Sequence, residues 1–189
     1  MADPKAKWVI DTNVLIIATT AQQGRPPRRI AKDKDAVPVK TPNELWEVFS
    51  WLEAVHRDPG AHVVLDMRHR FIEKEYGNKI EKDEYGRMVI ANKLSRCEYR
   101  AVYIDEDENG DPWIPHDAGH KVFDVADRRM VAAAVESGAP IVNACDTDWL
   151  DLLEDGTLAE LGISVHHIIE EWCRDEWKKV KGRKGAKSP

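Results

Sequence analysis

The chain has 189 residues, of which 42% are hydrophobic, and this is enough to build one domain with a full core. No apolar run approaches the ~18 residues of a membrane span, and the N-terminal residues are too polar for a signal peptide, so we expect a cytoplasmic protein without a membrane partner. The net charge of −6 argues against a general binder of polyanions, and three widely spaced cysteines argue against a disulfide framework.

The first predicted element is a buried strand that ends at Asp11. Residues 8–10 (Trp-Val-Ile) are apolar, and the apolar residues after Thr12-Asn13 predict a short helix over about residues 14–20. Because α/β sheets place their chemistry at the carboxyl ends of parallel strands, Asp11 would lie where a site is expected. Asp is also a good helix N-cap, and this one motif does not decide between the two interpretations.

A long basic connection follows the first helix. Residues 21–40 are rich in Pro, Arg and Lys and lack strong periodicity, which is typical of a functional or mobile segment. The next helix is predicted to begin at Thr41-Pro42-Asn43-Glu44, with Thr as the N-cap and Pro in the first turn, and to run to about Arg57. We therefore treat residues 21–40 as an insertion.

A second buried strand, residues 62–65, leads to Asp66 and then to a helix over about residues 67–80. At the helical period the apolar side chains of this helix form one arc, and Glu75 falls inside it. Glu73 falls at the margin of the arc and faces water. Glu75 is therefore the favoured inward carboxylate, and Glu73 is the alternative.

Residues 84–118 have a different pattern and are predicted to form a second insertion. Short apolar pieces lead to an Asn109-Gly110 turn, which favours a small β-hairpin. The acidic spacing around this turn resembles the start of an EF-hand loop. A calcium site is disfavoured because Pro112 lies inside that loop and His116 stands where the bidentate Glu would be.

The second half of the chain alternates helices and strands. An Ala- and Val-rich helix is predicted over residues 124–137, closed by Gly138, and a strand over residues 140–146 again ends at a carboxylate. Further elements are predicted at residues 149–153 (helix), 161–165 (strand) and 168–180 (helix). Strands separated by helices indicate a mainly parallel central sheet in a three-layer α/β/α sandwich. We expect one domain over residues 1–180 and a basic, disordered tail over residues 181–189.

Acidic side chains follow two of these strands and open one helix. Asp11 and Asp146 end strands, with Asp148 two residues further on. Asp127 lies in the first helical turn on the face that should pack on the sheet, where capping does not explain a carboxylate, whereas Asp124 is equally well explained as the cap. Converging carboxylates without an interleaved Lys or Arg need a cation, and oxygen ligands suit Mg²⁺ or Mn²⁺. The pattern therefore predicts metal-assisted phosphodiester hydrolysis.

Taken together, these motifs resemble those of the PIN-domain nucleases. Residues 9–15 (Val-Ile-Asp-Thr-Asn-Val-Leu) are similar to the opening strand of that family, and Glu75-Tyr76 is similar to its Glu on the helix after strand two. Residues 124–134 resemble the aspartate that opens an Ala-rich helix, and residues 141–149 end in a similar Asp-x-Asp-aromatic signature. The likeness covers about residues 7–20, 61–80 and 120–168 in the expected order.

The resemblance implies a PIN-like fold and a Mg²⁺- or Mn²⁺-dependent nuclease, most often one that acts on RNA. The catalytic acids that it implies are Asp11, Glu75, Asp127 and Asp146. The metal ligands would be Asp11, Asp127, Asp146 and Asp148. Supporting roles fall to Thr12, Asn13, Asn143 and Asp124, with Asn13 matching the residue that orients the first Asp. The two insertions make the chain longer than compact members of the family.

The uneven distribution of charge suggests how RNA would bind. Residues 1–40 carry eight basic side chains against four acidic ones and residues 174–189 carry seven against two, whereas residues 98–127 carry nine acidic against two basic. We expect the basic segments to contact phosphates around an acidic centre, although solvated surface is an equal alternative for each of them. The candidate nucleic-acid-binding residues are Arg25, Arg28, Arg29, Lys32 and Arg128.

The favoured hypothesis is an endoribonuclease acting on single-stranded RNA, such as a toxin or defence effector. An inhibitory partner protein and a homodimer are compatible with that role. The alternatives are a structure-specific DNA nuclease and a PIN-like fold that serves as a binding or assembly module without catalysis.

Other side chains with reactive or stacking chemistry give weaker signals. His116 and His120 lie on one polar loop without a Cys or a helical His pair, so a zinc site is disfavoured. Cys145 has no positioned base and is expected in the core. Trp113 and Trp149 are expected near the mouth of the site, where either could stack on an unpaired base.

Overall fold

Five parallel strands form one central sheet flanked by helices, in a computed structural model that describes residues 6–33 and 36–185. The strands are β1 (Lys7–Ile10), β2 (His62–Asp66), β3 (Tyr99–Val102), β4 (Ile141–Asn143) and β5 (Val165–His167), in the spatial order β3-β2-β1-β4-β5. The helices are α1 (Thr12–Gln23), α2 (Pro42–Arg57), α3 (Phe71–Lys79), α4 (Tyr85–Ser95), α5 (Val125–Ser137), α6 (Asp148–Glu154), α7 (Thr157–Glu160) and α8 (Glu170–Gly185), with a 3-10 helix at Asp117–Lys121. The predicted three-layer α/β/α sandwich is confirmed. None of the helices in the described ranges combines the length and apolar character that crossing a bilayer requires.

β1 lies at the centre of the sheet because its side chains are apolar on both faces. Val9 and Ile10 are fully buried, and β1 pairs with β2 on one side and β4 on the other. Ile10 stands opposite Val142, and the Asp11 backbone N–H continues the pairing by donating to the Val142 carbonyl at 2.9 Å. Since all strands are parallel, the residues that follow β1 and β4 meet at the same edge of the sheet.

Capping residues fix the ends of the helices that flank this edge. Asp11 caps α1, which continues to Gly24 in the left-handed conformation (φ 68°) and is therefore longer than the predicted 14–20. Thr41 caps α2, whose predicted bounds are confirmed. Asp124 caps α5, and Gly138 ends it with a φ of 65°. The turn chemistry in the sequence thus determines where these helices begin and end.

The first part of the predicted insertion over residues 84–118 belongs to the sandwich. α4 packs on α1 so closely that a Cβ at Gly86 would lie 2.8 Å from the Leu15 Cβ, and β3 adds a fifth strand beside β2. The sequence pattern did not predict β3 as a sheet strand because it lies at the edge, with partly exposed side chains. The predicted hairpin is present only as one antiparallel bridge between Glu106 and Pro112.

The C-terminal elements lie later in the chain than predicted. β5 occupies residues 165–167 instead of 161–165, and α8 continues to residue 185. Lys181 holds the additional turn, because it forms an ion pair with Glu154 and its Nζ lies 4.3 Å from the centroid of the Trp177 ring. Residues 181–185 of the predicted tail are thus part of α8, and its remaining residues, 186–189, lie outside the described ranges.

The fully buried Lys93 connects three parts of the chain. Its Nζ donates hydrogen bonds to the Asp58 carbonyl (2.6 Å), the Ala61 carbonyl (2.9 Å) and Glu98 Oε2 (2.9 Å). These acceptors lie in the turn between α2 and β2 and immediately before β3. Because all three ammonium donors are satisfied, Lys93 has a structural role and is not available for chemistry.

Lys93→Met is expected to lower the free energy of unfolding by about 3 kcal/mol, because removing one partner leaves a carboxylate and two carbonyls without their buried donor. Urea denaturation would measure the loss. The matched control is Lys79→Met on the exposed surface of α3, which should stay within about 0.5 kcal/mol of wild type. Equal stability of the two variants would contradict the structural role.

Candidate acidic site

Asp11 joins the end of β1 to the start of α1, and both oxygens of its carboxylate accept hydrogen bonds. Oδ1 accepts from the Asn13 backbone N–H at 3.2 Å, and Oδ2 accepts from Trp149 Nε1 at 2.7 Å. The side chain is buried, with 8% of the residue exposed. The capping interpretation therefore holds for one oxygen, while a side chain of α6 fixes the other.

The side chain of Asn13 connects α1 to the loop after β4. Its Oδ1 accepts hydrogen bonds from the backbone N–H groups of Ala144 (2.8 Å) and Cys145 (3.4 Å). Asn13 thus supports Asp11 through its backbone N–H, while its side chain holds the backbone immediately after β4 in place. Thr12, the other predicted support, is buried, and its hydroxyl has no hydrogen-bond partner in the described part of the chain.

Asn143 holds the loop that carries Asp146. Its Oδ1 accepts from the Asp146 backbone N–H at 3.0 Å, and its Nδ2 donates to the Asp146 carbonyl at 2.8 Å. Asp146 Oδ1 in turn accepts from the Asp148 backbone N–H at 2.9 Å, at the start of α6. The predicted supporting role of Asn143 therefore has a geometric basis, since this fully buried amide closes the loop after β4.

α5 contributes two acids to a cleft of about 290 Å³ at this edge of the sheet. Asp124 is exposed, and its Oδ1 caps the helix by accepting from the Ala126 backbone N–H at 2.7 Å. Asp127 lies in the first turn, half-buried, and lines the cleft together with Asp148 of α6. The helix N-terminus favours negative charge at both positions.

The carboxylates of Asp11 and Asp146 are close enough to influence each other's ionisation. Burial raises the pKa of Asp11 most, and the charge of Asp146 raises it further, while hydrogen bonds from Trp149 and Asn13 oppose the shift. Burial is also the main cause of the raised pKa of Asp146. Each acid is thus harder to ionise than an ordinary Asp side chain, because neither is well solvated.

Asp127 shares this electrostatic environment. Burial is the largest cause of the rise in its pKa to about 8, and the further causes are the charges of Asp146, Asp11, Asp124 and Asp148. For all three acids burial is the largest cause of the raised pKa, and the further causes that raise it are charges of neighbouring aspartates. The structure therefore brings Asp11, Asp127 and Asp146 to one edge, with Asp124 and Asp148 at the exposed margin.

Glu75, the fourth predicted acid, is engaged in an ion pair. It is the inward-facing glutamate of α3, as predicted, with 8% exposure. Its Oε2 accepts a hydrogen bond from Arg129 Nη1 of α5 at 2.5 Å, and both side chains are largely buried. Glu73 instead pairs with Arg70 at the surface. Glu75 is thus neutralised by Arg129, an interleaved cation that the sequence pattern did not reveal.

Among the described residues, no group of three or more His, Cys, Asp or Glu side chains lies close enough together to hold a metal ion. This is consistent with the mutual pKa shifts, because charges act on one another over greater distances than coordination bonds span. His116 Nδ1 accepts from the Ala118 backbone N–H at 3.0 Å and caps the 3-10 helix.

The predicted phosphate-binding residues of the first connection are held by acids before α4. Glu84 is 1% exposed, and its Oε1 accepts from the Arg28 backbone N–H at 2.9 Å and from Arg25 Nη1 at 3.3 Å. The guanidinium of Arg28 also pairs with Asp83. These contacts attach residues 25–28 to the segment before α4. An RNA phosphate would therefore have to compete with carboxylates for Arg25 and Arg28.

The other predicted phosphate-binding residues are in mixed environments. Arg29 Nε lies 2.9 Å from Glu81 Oε1. Arg128 Nη2 donates to the Pro112 carbonyl at 3.1 Å and lies 3.7 Å from Asp107 Oδ2. Lys32 is exposed and has no ion-pair partner in the described part of the chain. Binding of RNA by these side chains stays a prediction, and Lys32 is the one among them whose charge is not already paired.

Trp149 is a core residue, so its predicted position at the mouth of the site is wrong. It is fully buried and donates its indole N–H to Asp11. A buried indole N–H normally finds an acceptor, but this rule does not identify Asp11, 138 residues away, as that acceptor from the sequence. Trp113 is 47% exposed but lines a different surface pocket, with residues 105–109. Cys145 is partly buried and packs against the core, and burial raises the pKa of its thiol well above its usual value.

Comparison of the chain with models of protein families, with curated proteins and with solved structures found no match in any of the three. The resemblance to PIN-domain nucleases therefore stays a prediction from the motifs. What the site can do has to be inferred from its own side chains.

Asp127→Asn is expected to stabilise the protein at alkaline pH. The folded-state pKa of Asp127, about 8, exceeds the unfolded value of about 3.9. Its contribution to stability is therefore fully present below the unfolded pKa and is lost as the pH rises through the folded pKa. The Tm of the variant should rise relative to wild type as the pH increases across this window, measured by thermal unfolding with EDTA present. The exposed Asp117→Asn serves as the control, and a Tm difference for Asp127→Asn that is constant with pH would contradict the shift.

Glu75→Gln is expected to lower the free energy of unfolding by about 2 kcal/mol, because it leaves the charge of Arg129 largely buried without its partner. Glu73→Gln is the matched control, and the loss of its surface pair with Arg70 should cost no more than about 1 kcal/mol. Chemical denaturation compares the two. A greater loss for Glu73→Gln would show that the ion pair of Glu75 has little structural importance.

Proposed function

We propose that the chain is a Mg²⁺- or Mn²⁺-dependent nuclease that hydrolyses phosphodiester bonds of single-stranded RNA. The observation that carries the proposal is that Asp11, Asp127 and Asp146 lie at one edge of the sheet, where burial and the charges of neighbouring aspartates raise their pKa values. Buried acids of this kind are costly to ionise unless a cation is bound. The ordered motifs that resemble PIN-domain nucleases suggest the reaction.

The chemistry of the donors fits the proposed ions. Carboxylate oxygens are hard ligands of the type that Mg²⁺ and Mn²⁺ prefer, and the residues that would hold the ion are Asp11, Asp127 and Asp146, with Asp148 at the margin. The bound ion would lower the pKa of a water molecule and neutralise charge on the phosphodiester. The carboxylate of Asp127 accepts no hydrogen bond in the described ranges, so its side chain is free to turn toward an ion.

The surrounding residues hold the site in place. Trp149 and the Asn13 backbone fix both oxygens of Asp11, and Asn143 fixes the backbone of the Asp146 loop. The Asn13 side chain connects this loop to α1. Such supporting contacts orient the acids before a ligand arrives, which is how surrounding hydrogen bonds tune metal sites.

The second candidate is a PIN-like fold that binds a partner without catalysis. The observation that favours it is the ion pair between Glu75 and Arg129. Because of this pair, one of the four implied catalytic acids is already bound to a basic side chain. In that case the remaining acids would form a binding surface. Activity measurements distinguish the two candidates directly.

A single-stranded RNA is expected to be cleaved in the presence of Mn²⁺ and to stay intact with EDTA. Asp11→Asn should lower the rate by at least about 100-fold, since loss of even the outer partners of a metal site costs about 10–100-fold in affinity or activity. Gel electrophoresis of labelled RNA provides the measurement, with single-stranded DNA and duplex DNA compared in parallel. The exposed Asp117→Asn is the control and should retain the rate.

Mn²⁺ is also expected to stabilise the folded chain, because it binds the folded state and not the dispersed acids of the unfolded chain. At a hundredfold excess over Kd the gain is about 2.7 kcal/mol, which corresponds to a rise in Tm of roughly 5–10 °C. Differential scanning fluorimetry should show this rise in wild type and not in Asp11→Asn. An equal shift in both proteins, together with intact RNA, would favour the non-catalytic module.

A further inference from the structure

Phe123 is the most exposed of the large hydrophobic side chains in the described part of the chain, at 89%. It lies immediately before Asp124, the N-cap of α5, and lines the cleft that also contains Asp127 and Asp148. A Phe side chain in water forgoes the stabilisation that burial would bring. Its position beside the proposed metal ligands suggests that the ring contacts a ligand.

The backbone on both sides of Phe123 is fixed, so the ring is held at the cleft. Val122, which precedes it, is 1% exposed, and its backbone N–H donates to the Gly119 carbonyl at 3.2 Å. Asp124, which follows it, accepts from the Ala126 backbone N–H at 2.7 Å. The loop therefore presents the aromatic ring from two anchored neighbours, and little backbone entropy would be lost when the ring binds a ligand.

The other exposed aromatic side chains are placed differently. Trp46 is stacked on Phe49, with ring centroids 4.7 Å apart, so one of its faces is already covered. Trp113 lines the separate pocket beside residues 105–109. Phe123 forms no ring contact with the described aromatic residues, and it is the aromatic side chain that lines the cleft with Asp127.

We propose that Phe123 is a stacking platform for an unpaired base of the RNA strand bound at the acidic site. The proposal rests on the proposed function, because that function supplies the strand and its phosphates. Aromatic rings bind single strands by stacking on the flat faces of bases, and the faces of a base within a duplex are covered by its neighbours. A Phe ring has no hydrogen-bonding group, so it would select unpaired bases without distinguishing their identity.

The lining of the cleft favours a nucleobase over a protein partner. Apart from Phe123, Val122 and Leu152, the lining side chains are charged, and five of them are acids: Asp124, Asp127, Asp148, Asp151 and Asp155. The core of a protein interface is apolar and depleted in charged residues. A ligand with one flat aromatic face and a phosphate that a cation can bridge to carboxylates matches this cleft better.

Fluorescence anisotropy tests the platform with a phosphorothioate-substituted single-stranded RNA in the presence of Mg²⁺, because this hard ion coordinates sulfur poorly and the RNA then resists hydrolysis. Phe123→Ala should weaken binding by about 5- to 150-fold, the range that loss of one stacked base implies. Phe123→Trp should retain the affinity, and Tyr103→Ala, which removes an aromatic ring that is 63% exposed and does not line the cleft, should leave it unchanged. Binding of the corresponding duplex RNA should not depend on Phe123.

The outcomes separate the platform from the nuclease activity. Dependence of binding on Phe123 without cleavage by wild type would support the platform and contradict the nuclease. If wild type cleaves RNA and Phe123→Ala has the same RNA affinity and the same KM as wild type, the platform alone would be overturned. Phe123 would then be a candidate contact for a protein partner. Absence of single-stranded RNA binding by wild type would overturn both.

Discussion

The burial or partial burial of neighbouring carboxylates is the constraint on which the candidate site depends. The parallel sheet brings the residues after β1 and β4 to one edge, and both strands are followed by an aspartate. Burial disfavours ionisation of Asp11, Asp127 and Asp146, and the nearby charges increase this effect for each of them. Placing ionisable acids together at a partly buried edge lowers the free energy of unfolding. This loss has a functional explanation if the edge binds a cation and a ligand.

Polar contacts around the acids keep this edge intact. The indole of Trp149 and the N-terminus of α1 each supply a donor to Asp11, while Asn13 and Asn143 satisfy backbone groups of the loop that carries Asp146. These contacts join β1, β4, α1 and α6, so the same hydrogen bonds serve packing and site geometry. A substitution at either asparagine would therefore disturb the fold and the acids together.

The sequence was sufficient to predict the parallel central sheet and the positions of Asp11 and Asp146 after two of its strands, because continuous apolar runs that end in Asp carry a strong signal. Features that depend on distant partners were not predictable in this way. The pairing of Glu75 with Arg129 and of Arg25 with Glu84 joins residues far apart in the chain, and no local pattern identifies them. β3 was missed because an edge strand buries too little of its surface to produce a clear period.

The central position of β1 also has a consequence for the order of assembly. β1 pairs with β4, and the side chain of Asn13 bonds to Ala144, which lies 131 residues further along the chain. Contacts of such sequence separation form late, after the cost of closing a long loop has been met. A chain emerging from the ribosome therefore carries Asp11 before Asp127 of α5 and Asp146 of the loop after β4 have been synthesised. The acids at this edge can therefore come together only after the chain has been synthesised past Asp146.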